Sequence, residues 1–326
     1  MNRNRSLLFA IVVAALAFFC GCRRQAQEYP PCEIVSLYNI IYDYDSLDST
    51  ARAAVLSAYE PMFESFMQVV SPEPFSPELL GWWSDSSPVR VFTPDVDSVF
   101  PSVAPLEVAL GNILGRAEAD SLELPARKYA AVVYGRAESM LFNDSTLFIA
   151  LNHYLGSDYP GYTHWPEYMR RQKSPQRLPY DLAEALVATS YPYSASGAEA
   201  TALSRMLYEG AVVYAVTRLV DNPSEALALG YGQEEMGWFS KHETELWRAL
   251  VAANVVYDTA PAAASRLVDP SPAVRGFGVD APGRAGRYIG YRIVRSYAAS
   301  HPGMSLARFL SPEFYSSSGA LLESGY

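Results

Sequence analysis

Cysteine and histidine are scarce in this chain of 326 residues, which holds three of the first and four of the second. The histidines, His153, His164, His242 and His301, never fall three to five residues apart. That spacing excludes the H-E-x-x-H arrangement, in which two histidines bind zinc from one helical face. His164 and Glu167 come nearest, but Pro166 interrupts any helix between them. No metal and no cofactor is therefore expected. Cys20 and Cys22 close an apolar N-terminal run, so Cys32 is left with no partner for an intrachain disulfide. Basic charge is also in deficit, with 25 Lys and Arg against 35 Asp and Glu and a net charge of -10. Such a field argues against nucleic acid as a partner. The chain has no G-x-S-x-G elbow and no P-loop, and the glycines of GYGQEEMG and GFGVDAPG are misspaced for a dinucleotide loop.

The N-terminus is what the chain does have in quantity of apolar character. Arg3 and Arg5 precede an uncharged run from Leu7 to Cys20, followed by Gly21-Cys22. A basic start, a short apolar stretch and a small residue before a cysteine read as a lipoprotein signal. Residues 1–21 are expected to be the signal peptide, with Cys22 as the acylated residue that ties the chain to a lipid bilayer. Residues 22–32, polar and stiffened by Pro30-Pro31, are expected to be a tether, and residues 33–326 a single domain. No later apolar run is long enough to cross a bilayer.

The expected fold is α+β and mostly helical, with a small sheet of about four or five strands in the N-terminal half. EIVSLYNIIYDYD reads as a strand ending near Asp43, because Ile, Val and Tyr dominate it. A helix capped at Ser49-Thr50 should follow to Val70, kinked or broken at Pro61. VRVF at 89–92 reads as a strand, and Pro105 to Ala119 as a helix with an apolar period near 3.6. KYAAVVYG, ESMLF and STLFIALNHYLG read as strands, the last two joined by an Asn143-Asp144 turn. From Tyr180 onward the pattern is helical, with helices expected at 181–190, 198–220, 233–257, 284–300 and 304–322.

Three groups of residues bear on chemistry. KHETELW at 241–247 contains the first half of a zinc-peptidase motif, but Leu246 stands where the second histidine belongs. Phe239, Leu246, Leu250 and Ala253 lie on or near the His242 face, which places that imidazole at a core boundary. Asp181, Glu184 and Glu209 are the carboxylates that could form an acid–base centre, although nothing in their spacing favours that over a solvated helix face. In GRAGRYIGYRIVRSY, Arg284, Arg287, Arg292 and Arg295 fall within a sector of roughly 140°. Gly286, Ile289, Gly290, Ile293 and Tyr297 occupy the opposite side and favour close helix packing. The arginines either pair with internal carboxylates near Glu209 or Glu243, or form a site for an anion or an acidic partner.

The order ALNHYLGSDYPGY, LPYDLAEAL, MLYEGAVVY, LGYGQEEMGWFSKHETELW and PGRAGRYIGYRIVRSY resembles the gliding-motility lipoprotein family GldB of Bacteroidota, from about residue 35 to the C-terminus. The resemblance implies an outer-membrane lipoprotein facing the periplasm, associated with envelope proteins of the gliding and type IX secretion apparatus and acting non-catalytically. Glu209-Gly210 followed by Gly290-Tyr291 is also distantly similar to predicted zinc peptidases of the zincin type. That likeness implies a zincin-like but degenerate fold, with Glu209 at the third ligand position. Where H-E-x-x-H would stand, this chain reads DLAEAL. The expectation is a pseudo-peptidase. The alternatives are a hydrolase with an atypical site around Glu209, and a periplasmic binder of an anionic ligand.

Overall fold

The computed structural model describes residues 29–326 apart from Pro72, Ala126 and residues 277–280. The expected signal peptide and Cys22 lie outside the described residues. The end of the expected tether runs along the helix Ala104–Ala119: Tyr29 N–H donates to Asn112 Oδ1 at 3.1 Å, and Cys32 N–H to the Glu107 carbonyl at 3.0 Å.

A four-stranded sheet organises the N-terminal half in the order β1-β2-β4-β3. Its strands are β1 (Val35–Ser36), β2 (Lys128–Val132), β3 (Met140–Phe142) and β4 (Thr146–Ala150). β1 pairs parallel with β2 and β2 parallel with β4, while β3 pairs antiparallel with β4. The Asn143 turn forms as expected, its Oδ1 accepting from the N–H groups of Ser145 and Thr146 at 3.0 and 2.8 Å.

Both faces of the sheet are covered, so its central strands are apolar on both sides rather than alternating with polar residues. Tyr129, Ala131, Leu147 and Ile149 face the larger core, and Ala130, Val132, Phe148 and Ala150 face the smaller one. Helices α1 (Leu37–Asp43), α2 (Ser49–Val70), α3 (Pro77–Ser84) and α4 (Ser87–Val99) build on the smaller core. On the other face lie α5 (Ala104–Ala119), α6 (Leu178–Ser190), α7 (Ala202–Leu219), α8 (Gln233–Ala252), α9 (Pro261–Val268) and α10 (Ala285–Ser300).

Two expected strands are helices. EIVSLYNIIYDYD contributes only Val35–Ser36 to the sheet, and α1 follows at once. Leu37, Ile41 and Tyr44 are buried at a helical spacing of i, i+4, i+7, and burial on that period outweighs the β-preference of the residues. VRVF lies inside α4 for the same reason, with Val89, Thr93 and Val96 buried at i, i+4, i+7. The helix capped near Ser49 forms, but Asp48 is the cap, its carboxylate accepting from Thr50 and Ala51 N–H at 2.9 Å. That helix continues through Pro61 without a break. The last expected helix divides into three short ones, Leu306–Phe309, Pro312–Tyr315 and Ser318–Ser324. Ser305, Ser311 and Ser317 stand at their caps, and Pro312 opens the second. Among the described residues no single helix is long and apolar enough to cross a membrane.

Candidate functional site

Three helices bring charged side chains together beneath the larger core. Arg177 sits just before α6, with Asp181 and Glu184 one and two turns further along. This spacing puts all three on one helical face. Arg177 Nε donates to Asp181 Oδ1 at 2.6 Å and its Nη2 to Glu184 Oε2 at 3.0 Å. On α7, Arg205 donates from Nε and Nη2 to Glu209 Oε1 at 3.1 and 2.8 Å.

Arg287 on α10 joins the two groups. Its Nη1 and Nη2 donate to Glu184 Oε1 and Oε2, both at 2.6 Å, and Nη1 also reaches Glu209 Oε2 at 3.2 Å. The side chain is only 1% exposed. A guanidinium so buried is tolerated because two carboxylates neutralise it and the fork geometry matches Glu184. The network extends to the sheet through Tyr154, four residues after β4, whose hydroxyl donates to Asp181 Oδ2 at 3.0 Å.

Burial would raise the Glu184 carboxyl, but Arg287 and Arg177 outweigh it and hold it at about 2. Asp181 behaves oppositely: burial raises it above the ordinary carboxylate range, reinforced by Glu184 and opposed by Arg177. Arg284 takes a left-handed backbone conformation at φ 59° and donates Nε to the Val268 carbonyl at 3.2 Å. Burial and the neighbouring charge of Arg287 bring its guanidinium down to about 10.

The structure therefore brings Asp181, Glu184, Glu209 and Arg287 together with Arg284 close by, and disperses the rest of the arginine strip. Arg292 pairs with Glu243 at 3.2 Å and Arg295 with Glu225 on the surface. Of the two readings of the arginine strip, pairing with carboxylates near Glu209 and Glu243 is the one seen for Arg287 and Arg292; Arg287 points into the core because close contact between α10 and α7 carries it there. The small face packs as expected, with Gly286 against Leu267 and Gly290 against Met206. His242 stacks on Trp238 with ring centroids 4.8 Å apart, and its Nδ1 lies 3.1 Å from Glu245 Oε2. Glu243 accepts from Tyr288 and Tyr326 hydroxyls at 2.7 and 2.9 Å, tying α8 to α10 and to the C-terminal residue.

Arg177, Arg205 and Tyr154 were not singled out in the sequence. Arg177–Asp181 and Arg205–Glu209 carry a legible signal, the i, i+4 pairing of opposite charges. Nothing in the local pattern around Tyr154 announces its contact with Asp181, 27 residues away.

Every oxygen of Glu184 and Glu209 accepts from a guanidinium, and Asp181 accepts from Arg177 and Tyr154. Guanidinium cations already lie against all three carboxylates, so a zinc ion here would meet positive charge and find no histidine or thiolate to complete its ligand set. Among the described residues no group of three or more His, Cys, Asp or Glu is placed to hold a metal. Fold and site together define a mostly helical α+β domain whose acidic centre is closed by arginine. The chain belongs to the gliding motility protein GldB family, whose lipoprotein model matches residues 24–326. No curated protein and no solved structure matches it.

Proposed function

We propose that this protein is an outer-membrane-anchored lipoprotein, facing the periplasm and held by acyl chains on Cys22, that acts by binding protein partners of the gliding and type IX secretion apparatus. The observation that carries this reading is the bidentate clasp of Glu184 by Arg287, shared with Glu209. A centre whose carboxylates are satisfied by guanidinium groups holds three helices in fixed relation and offers a rigid body for docking. Family membership over nearly the whole chain supports the assignment to gliding motility.

The test is cross-linking of the tagged full-length chain in intact envelopes, followed by mass spectrometry of what co-purifies. Components of the gliding or secretion apparatus are expected with the wild type and with a folded Glu209→Gln variant alike. Their absence from the wild-type sample, or their loss in Glu209→Gln alone, would overturn the reading.

A further inference from the structure

The carboxyl ends of β2 and β4 open on one edge of the sheet, and antiparallel β3 begins there. In open α/β sheets ligands bind beyond the carboxyl ends of parallel strands, and β2 and β4 present two such ends here. Ser139, immediately before β3, lies there with His153, three residues after β4, and Lys173, from the loop leading to α6. Ser139 Oγ is 3.0 Å from Lys173 Nζ and 3.0 Å from His153 Nδ1. The two basic side chains are buried, at 7% and 4% exposure, while Ser139 is half-buried.

Lys173 is an unusual lysine. It makes no ion pair among the described residues, and its ammonium sits 4.5 Å from the centre of the partly exposed Trp165 ring. Asp181 is the acid acting on it, but that carboxylate is already held by Arg177 and Tyr154. Burial lowers Lys173 to about 8, against the opposing pull of Asp181. Burial and the Lys173 charge lower His153 to about 3, while a hydrogen bond to the Arg136 backbone acts the other way. His153 is thus a neutral acceptor, and Lys173 is the base whose proton comes off near physiological pH.

We propose that Ser139 is a nucleophile toward carboxylic esters, with Lys173 as its general base and His153 as the group that orients its hydroxyl. While Lys173 is protonated it donates to Ser139 Oγ, and the serine hydroxyl points to His153 Nδ1. Once Lys173 is neutral, the hydroxyl hydrogen turns to Nζ. Oγ attacks the ester carbonyl carbon, the Oγ–C bond forms and Nζ takes the proton. The carbon–oxygen bond to the alcohol then breaks, and the ammonium returns that proton to the leaving oxygen. Water, deprotonated in turn by Lys173, hydrolyses the acyl-serine and releases the acid. The Trp165 ring lies against both the Lys173 ammonium and the His153 imidazole, on the basic side of the site. Serine activation by a buried, partly neutral lysine is established chemistry for nucleophilic catalysis.

The test uses the full-length chain in detergent with a fluorophosphonate probe from pH 6 to 9.5, read by peptide mass spectrometry. A single adduct on Ser139 is expected, formed faster as pH rises through about 8, and lost in Ser139→Ala. Lys173→Met, checked as folded by its circular dichroism, is expected to react at least tenfold more slowly and without that pH rise. No adduct on Ser139 in the folded wild type, or unchanged labelling in Lys173→Met, overturns the proposal. Should Lys173→Met fail to fold, the Ser139→Ala comparison and the wild-type pH profile decide it alone. The inference goes beyond partner binding, and envelope cross-linking of Ser139→Ala reads that function separately.

Discussion

Gly210 on α7 and Gly290 on α10 lie back to back where the two helices cross. A β-carbon on Gly210 would come within 2.1 Å of the Gly290 carbonyl carbon, and one on Gly290 within 1.8 Å of the Met206 carbonyl oxygen. Because the obstruction is backbone, no side chain can turn aside to relieve it. This closeness brings Arg287, almost one turn before Gly290, within 3.2 Å of Glu209.

Gly290→Ala should therefore destabilise the fold by about 3 kcal/mol, the upper range for overpacking a core. Urea unfolding followed by circular dichroism would show it as a lowered midpoint at unchanged slope. A wild-type midpoint in this variant would mean that the helices do not approach so closely.

Arg287→Met leaves Glu184 and Glu209 without their shared cation. Removing one partner of a buried pair costs on the order of 3–5 kcal/mol; because Arg177 still meets Glu184 and Arg205 still meets Glu209, the loss should lie near the lower end of that range. A triple variant, Arg287→Met with Glu184→Leu and Glu209→Leu, should regain part of that loss. Equal stability of the single and triple variants would show that under-compensated buried carboxylates are not what destabilises the first.

The Glu184 carboxyl, held at about 2 in the fold, makes stability depend on acid. Its folded value lies below the ordinary one near 4.5, so the folded state binds fewer protons. The stabilisation is complete above about 4.5 and is lost as pH falls toward about 2. Unfolding measured across that window should steepen with acid in the wild type and flatten in Glu184→Gln. Parallel curves would assign the acid sensitivity elsewhere.

His242 and Glu243 are neighbours with unequal weight. His242 stacks on Trp238 at the half-buried face of α8, and its truncation to alanine should change stability by roughly 0.5 kcal/mol. Glu243 accepts from Tyr288, Tyr326 and Arg292, so Glu243→Ala should cost about 2 kcal/mol. Thermal melts of the two variants side by side would rank them, and the reverse order would contradict the contacts described.

Cys22→Ala should abolish incorporation of labelled palmitate and move the protein from the membrane to the soluble fraction. Labelling that persists in the variant would place acylation on another residue.

The helical half of the domain was readable because long runs of helix-forming residues lie between clear Pro and Gly breaks. α7 is buried on nearly every side, and Gly286 and Gly290 mark a close packing face on α10. The strands at 128–132, 140–142 and 146–150 were readable from β-branched and aromatic runs around an Asn turn. Residues 37–43 and 89–92 misled because they carry strand-forming residues on a helical period. Composition and spacing disagreed, and packing against the sheet followed spacing.

The sequence by itself determined the class of fold, the absence of a histidine pair for zinc, and the family, through the order of its motifs. What Arg287 does was decided only by tertiary structure. A helical wheel places it with Arg284, Arg292 and Arg295, since it knows one helix and no neighbours. The crossing at Gly210 and Gly290 turns that position inward, where a guanidinium persists only if carboxylates meet it. Glu184 and Glu209, far from it along the chain, are there because α6 and α7 share its core. Local periodicity tells which residues share a face, but the long-range packing of three helices decides what that face meets.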